Sequence, residues 1–150
     1  QCLVGSEMCI RDRLTPLTKK ATTAPYGSID RPFDPCDLAR AAEATYVARS
    51  TAFHVKHLAD MIAQGMDNDG FSFIEAITQC PISYGRKNKL GDAPAMLKWM
   101  SEHAVMQAAF DKLPEEKRED KFPIGILHKA STTEYTTAYQ KVIDLAGGGK

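Results

Sequence analysis

From residue 34 onward, apolar and polar positions follow two alternating periods, which predict helix and strand in turn. Asp34-Pro35 reads as an N-cap followed by proline at the first helical position, where the missing N–H costs nothing. The helix it opens continues through residues 36–44 (CDLARAAEA). Thr45 to Arg49 has the β-branched and aromatic content of a short strand. Residues 54–69 (HVKHLADMIAQGMDND) place Val55, Leu58, Met61, Ile62 and Met66 at helical spacing, and Asp69-Gly70 ends that helix. Residues 71–78 (FSFIEAIT) alternate like a strand, with Phe71, Phe73 and Ile77 on one face. Helix, strand, helix, strand is the order of an α/β fold with a parallel sheet and right-handed crossovers.

Two long loops flank this unit. Residues 14–34 carry three prolines, a glycine and several threonines, the chemistry of a connection and not of a regular element. Both an active-site loop and a frayed terminus fit such a run. Residues 79–94 (QCPISYGRKNKLGDAP) begin where the Phe71 strand ends, and ligands of parallel sheets bind outside the carboxyl ends of strands. An amphipathic helix is expected from Ala95 to about Phe110 through Met96, Leu97, Met100, Ala104 and Val105. A charged, solvated stretch (KLPEEKREDK) follows, then a buried-type strand over 123–128. Thr132 or Thr133 is expected to cap a last helix running through Ala146.

Composition changes this picture little. Nineteen basic residues balance nineteen acidic ones, which gives no field suited to nucleic acid or an anionic membrane. No apolar run approaches the ~20 residues needed to span a bilayer, so a soluble chain is expected. Residues 1–13 (QCLVGSEMCIRDR) lack both a structural period and the layout of a signal peptide. They resemble a tail that adapter read-through adds to translated shotgun fragments, and the authentic domain is expected over 14–150. That sets aside Cys2 and Cys9. Cys36 and Cys80 belong to no CxxC or Cys/His pattern, so no complete metal site is encoded and a reducing cytoplasm is expected.

Several stretches, taken in order, resemble the beta subunit of the 2-oxoacid:ferredoxin oxidoreductases, the 2-oxoglutarate type above all. They are residues 15–50 (TPLTKKATTAPYGSIDRPFDPCDLARAAEATYVARS), 70–88 (GFSFIEAITQCPISYGRKN), 122–129 (FPIGILHK) and 132–139 (TTEYTTAY). The most specific part is Phe-x-Phe-Ile-Glu followed by Gln-Cys-Pro-x-x-Tyr-Gly-Arg-x-Asn. The resemblance implies the C-terminal part of a thiamine-diphosphate-binding, parallel-sheet (Rossmann-like) domain with the beta subunit's C-terminal extension. It implies oxidative decarboxylation of a 2-oxoacid with coenzyme A, with electrons passed to ferredoxin. The cofactors implied are thiamine diphosphate, magnesium and a 4Fe–4S cluster, and the implied partner is an alpha subunit. In the family the fourth cluster cysteine lies in the position of Cys80, while the other three cluster ligands and the Gly-Asp-Gly segment lie upstream of the residues present. Thr15 and Thr18 match the tail of the cofactor loop, although Thr15-Pro16-Leu17-Thr18 departs from the commoner Ser-Pro-Thr-Thr. No catalytic residue is assigned, and the fragment alone is expected to be inactive. A pyruvate or broad 2-oxoacid enzyme, and a non-catalytic α/β module that docks to a partner, are the alternatives.

Each candidate also has a plainer reading. Cys80 sits where a cluster thiolate is expected, yet lone cysteines commonly just pack. Cys36 lies on the first turn of a helix, where the dipole favours a thiolate, but its apolar neighbours favour core packing. His54 and His57 lack a third ligand, which points to a surface or capping role. Arg86, Lys87 and Lys89 form a basic cluster for coenzyme A phosphates, for an acidic ferredoxin face, or for solvent alone. The methionines at 61, 66, 96, 100 and 106 read as core filler.

Overall fold

The first helix is fixed by its cap. The Asp34 carboxylate accepts the backbone N–H of Cys36 (2.8 Å) and of Asp37 (3.2 Å), and Pro35 opens helix α1, Pro35–Ala41. In the computed structural model, which describes residues 17–21, 24–29 and 33–147, α1 stops earlier than its alanine-rich sequence predicts. Glu43 takes a left-handed backbone (φ 63°), and Ala44 folds its N–H back onto the Ala39 carbonyl, turning the chain into the sheet. Strand β1 (Tyr46–Thr51) is buried along its whole length. Helix α2 (Val55–Met66) crosses back to strand β2 (Ser72–Ile77), which pairs parallel to β1 with Val47 opposite Phe73 and Arg49 opposite Glu75. This is the parallel unit that the sequence predicts.

Beyond β2 the chain departs from a simple parallel sheet. A π-helical turn (Pro81–Gly85) runs into the short helix α3 (Arg86–Asn88), within a stretch expected to be loop. Helix α4 (Ala93–His103) does not continue to Phe110. It breaks at Ala104 into strand β3 (Ala104–Met106) and the turn α5 (Gln107–Phe110). The reason is non-local, because β3 pairs in parallel with strand β4 (Phe122–Lys129) and backbone pairing overrides the helical pattern. β4 in turn runs antiparallel to β1, so the four-stranded order is β2-β1-β4-β3. The last helix, α6 (Tyr135–Gly147), is started by Glu134, not by Thr132 or Thr133. The Glu134 carboxylate accepts the N–H of Thr136 and Thr137 and the Thr136 hydroxyl.

The sheet carries a core on each face. On the α1 side, Cys36, Ala39, Ala44 and Val47 pack with Phe73 and Leu127. On the α2 side, Tyr46, Ala48 and Met61 pack with Ile74 and Ile126. Burying a side chain the size of Val47 contributes roughly 1.5–3 kcal/mol. Gly65 lets α2 lie close, since a Cβ there would meet Ile74 Cδ1 at 2.8 Å. Of the methionines read as filler, Met61, Met96 and Met100 are buried, but Met66 and Met106 are 78% and 51% exposed. Among the described residues no helix is long and apolar enough to cross a membrane. The 1–13 tail, with Cys2 and Cys9, lies outside the described residues, and so does Thr15.

Candidate functional site at the carboxyl end of the parallel strands

Three features gather along β1, β2 and the segments that flank them. The first is a charged cluster on the α1 face. Strand periodicity puts Arg49 on the same face as Val47, and Glu75 on the same face as Phe73, so two charges enter an otherwise apolar layer. Arg49, only 7% exposed, donates from one terminal nitrogen to both Asp34 carboxylate oxygens (2.7 Å each) and from Nε to Glu75 (2.5 Å). Burial alone would lower the guanidinium pKa, but Asp34 and Glu75 raise it above its ordinary value, so Arg49 stays charged. Burial likewise pushes Asp34 up, and the Arg49 bonds and charge outweigh it, holding the carboxyl below the usual range.

Cys36 lies inside this cluster, its Sγ donating to Glu75 Oε2 at 3.3 Å. Burial, with the neighbouring carboxylates, pushes its thiol up to about 12. With 2% exposure and its thiol engaged by Glu75, Cys36 fits the core-packing reading better than the activated-thiolate one. Donor atoms of Asp34, Cys36 and Glu75 lie within 4.8 Å of one another, a spacing a metal ion would accept. The donor set does not suit one, because the guanidinium already engages both carboxylates and the thiol keeps its proton.

The second feature is the Cys80 loop. Cys80 is half-buried just past Thr78 and Gln79, which follow the end of β2, is not in a disulfide, and turns its carbonyl to the N–H groups of Tyr84 (3.2 Å) and Gly85 (2.9 Å). Among the described residues Cys80 belongs to no group of three or more His, Cys, Asp or Glu side chains spaced to hold a metal ion. Gly85 is buried against α4, and a Cβ there would sit 2.7 Å from Met96 Sδ. Arg86, Lys87 and Lys89 are exposed, which all three of their readings require.

The third feature is the loop that carries Thr18. Its described residues are tied to one another. Thr18 N–H donates to the Ser28 carbonyl (2.8 Å) and Ser28 N–H to the Lys19 carbonyl (2.9 Å), closing the loop on itself. Thr18 is exposed and holds a left-handed backbone (φ 68°), a conformation that costs a β-branched residue on the order of 1–3 kcal/mol. Gly27 (φ 112°) makes room for it, since a Cβ there would lie 2.7 Å from the Thr18 carbonyl oxygen.

The histidines bond locally, and only His54 takes a capping position. Both are half-buried; His54 Nδ1 meets Thr51 Oγ1 (2.8 Å) and His57 Nδ1 meets Ser50 Oγ (2.9 Å). His54 occupies the N-cap position of α2 without a side-chain capping bond.

The comparisons with known proteins agree with this architecture. Residues 5–76 match the family described as thiamine pyrophosphate enzyme, C-terminal TPP binding domain. That match ends short of Cys80. The chain is 42% identical over 127 residues to the 2-oxoglutarate synthase subunit KorB of Methanothermobacter marburgensis, covering 85% of this chain and 45% of that protein. It is 39% identical over 130 residues to the same subunit of Methanocaldococcus jannaschii, covering 87% and 48%. Along most of its own length the chain is similar to the beta subunits of the 2-oxoacid:ferredoxin oxidoreductases. It spans about half the length of the curated relatives it matches. A solved 2-oxoglutarate:ferredoxin oxidoreductase from Magnetococcus marinus, with 2-oxoglutarate, coenzyme A and succinyl-CoA bound, shares the fold. Its TM-score is 0.68 at 24% identity, covering 92% of this chain and 47% of that one.

Against this family background, sequence reasoning missed the Asp34–Arg49–Glu75 cluster. A signal for it existed, since Glu75 falls between Phe73 and Ile77 on the face that strand periodicity buries.

Proposed function

We propose that this chain is part of the beta subunit of a 2-oxoglutarate:ferredoxin oxidoreductase, which oxidatively decarboxylates its 2-oxoacid with coenzyme A and delivers electrons to ferredoxin. Within that reading residues 14–150 belong to the thiamine-diphosphate-binding domain and its extension, and the family match itself begins earlier, at residue 5. The subunit works in the cytoplasm beside an alpha subunit. The observation that carries the reading is the placement of Cys80, a half-buried cysteine at the carboxyl end of a parallel strand, in a chain this similar to 2-oxoglutarate synthase subunits.

Thiamine diphosphate, held with magnesium, would supply the ylid and the carbanion sink, leaving position and electrostatics to the protein. Thr15 and Thr18 belong to the loop that would face it. The strained, exposed backbone at Thr18 supports that role, because such strain concentrates at ligand sites. A cubane cluster takes four thiolates, and Cys80 fits one of them. Its thiol enters a loop from a strand end, where ligands from other segments can meet it.

In the full-length subunit with its alpha partner, Cys80→Ser is expected to lower iron content and visible cluster absorbance and to impair ferredoxin reduction, with folding retained. Unchanged iron and electron transfer would reduce Cys80 to a packing residue and sink this reading.

A further inference from the structure

Lys20 and Asn88 are far apart in sequence, yet the Asn88 side chain grips the Lys20 backbone at two points. Its Oδ1 accepts the Lys20 N–H (2.7 Å), and its Nδ2 donates to the Lys20 carbonyl (2.7 Å). Nδ2 also donates to the Tyr84 carbonyl at 3.0 Å. Both amide protons and the carbonyl oxygen are thereby used, and the pattern fixes the amide orientation, since the Lys20 N–H can only meet an oxygen. Tyr84 N–H in turn donates to the Cys80 carbonyl. An unbroken chain of hydrogen bonds therefore runs from Cys80 through Tyr84 and Asn88 to Lys20. Lys19 then closes the loop onto Ser28, and Ser28 holds Thr18.

We propose that Asn88 is a positioning residue that locks the Thr18 loop to the Cys80 loop, so that the cofactor loop and the cluster cysteine are held in one register. This rests on the functional reading above and deepens it. Few side chains can do the same work. Aspartate lacks both donors, glutamine moves the amide by a methylene, and the basic neighbours Arg86, Lys87 and Lys89 have no acceptor.

The test uses the complete complex of full-length beta subunit and alpha partner, with wild type, Asn88→Ala and Asn88→Asp. Three quantities are measured: hydrogen exchange in the peptide containing Lys20, the dissociation constant of thiamine diphosphate by fluorescence titration of the cofactor-free complex, and iron per subunit. In Asn88→Ala the Lys20 peptide should lose protection, and the dissociation constant should rise about tenfold for the loss of both loop-spanning bonds. Iron should stay at the wild-type level. Asn88→Asp keeps the acceptor for Lys20 N–H but sets a carboxylate oxygen against the Lys20 and Tyr84 carbonyls, so it should lose affinity at least as far as Asn88→Ala. If Asn88→Ala does not assemble, Asn88→Asp decides on the same measurements.

Lost protection with cofactor affinity within about twofold of wild type would make Asn88 a mere surface staple and overturn the proposal. Iron lost together with affinity in both variants means general collapse of the loop and overturns it as well. A wild-type complex that takes up neither thiamine diphosphate nor iron overturns the functional reading and this inference together. Wild-type uptake of both, with unaltered variants, overturns Asn88's role alone.

Discussion

Arg49 does the work of a bolt between three segments: the α1 cap through Asp34, β2 through Glu75, and β1 on which it sits. Removing it leaves two carboxylates facing each other beside a buried thiol. Arg49→Met keeps the stem's volume and deletes the charge, so the loss should come from the unpaired acids. Breaking a buried pair costs about 3–5 kcal/mol; Asp34's side chain is 41% exposed and water screens it, so about 2–3 kcal/mol is expected in urea unfolding at neutral pH. The pH dependence has a definite sign. Asp34's folded-state pKa is depressed, so its contribution is fully present above the unfolded value of about 3.9 and is lost as pH falls toward the folded one. Arg49→Met should flatten that acid limb. An unchanged limb would mean that Arg49 does not hold Asp34 in solution. The sequence already held the clue, because Arg49 and Glu75 occupy inward positions of adjacent strands, yet which charge meets which depends on strand register, and no single segment encodes register.

At the scale of elements, local signals succeeded where structure is local. Asp34-Pro35 marked a helix start, and the β1-α2-β2 crossover follows from hydrophobic period alone. They failed where distant segments decide. The pattern through Ala104 and Val105 is helical, but β4 recruits Ala104–Met106 as a strand. The antiparallel entry of β4 beside β1 was equally invisible, for both pairings look alike in a short apolar run. The turn from α2 into β2 is a close-packed junction. Gly70 has φ 119°, and a Cβ there would approach Thr45 Oγ1 to 2.5 Å. That hydroxyl also receives Asn68 Nδ2 at 2.8 Å, tying the turn to the start of β1. Gly70→Ala is therefore expected to destabilise by more than about 1 kcal/mol, combining backbone strain with the broken Thr45 contacts. Thermal unfolding at matched pH measures this; a neutral or stabilising result would show that the turn can relax.

At the scale of the whole molecule, α6 is a 13-residue helix with no buried residue. Every described residue of α6 is exposed, including Tyr135 (74%), Tyr139 (52%), Val142 (55%), Ile143 (48%) and Leu145 (82%). At 100° per residue these side chains, with Ala138 and Ala146, fall on one face, while Thr137, Gln140, Lys141 and Asp144 take the other. Tyr135 and Tyr139 stack on each other for want of another surface. Isolated helices of this length are marginal in water, so such a face calls for cover. A chain proposed to work beside an alpha subunit has a source of cover in that partner. On its own, this chain should bind a hydrophobic dye and self-associate as concentration rises. Val142→Lys sets a charge in the middle of the stripe at a solvent-exposed position, so it should reduce both effects while leaving the sheet's unfolding transition unchanged. Dye fluorescence and sedimentation of the two forms decide the matter: equal dye binding and equal association would mean that the α6 stripe is not the adhesive surface.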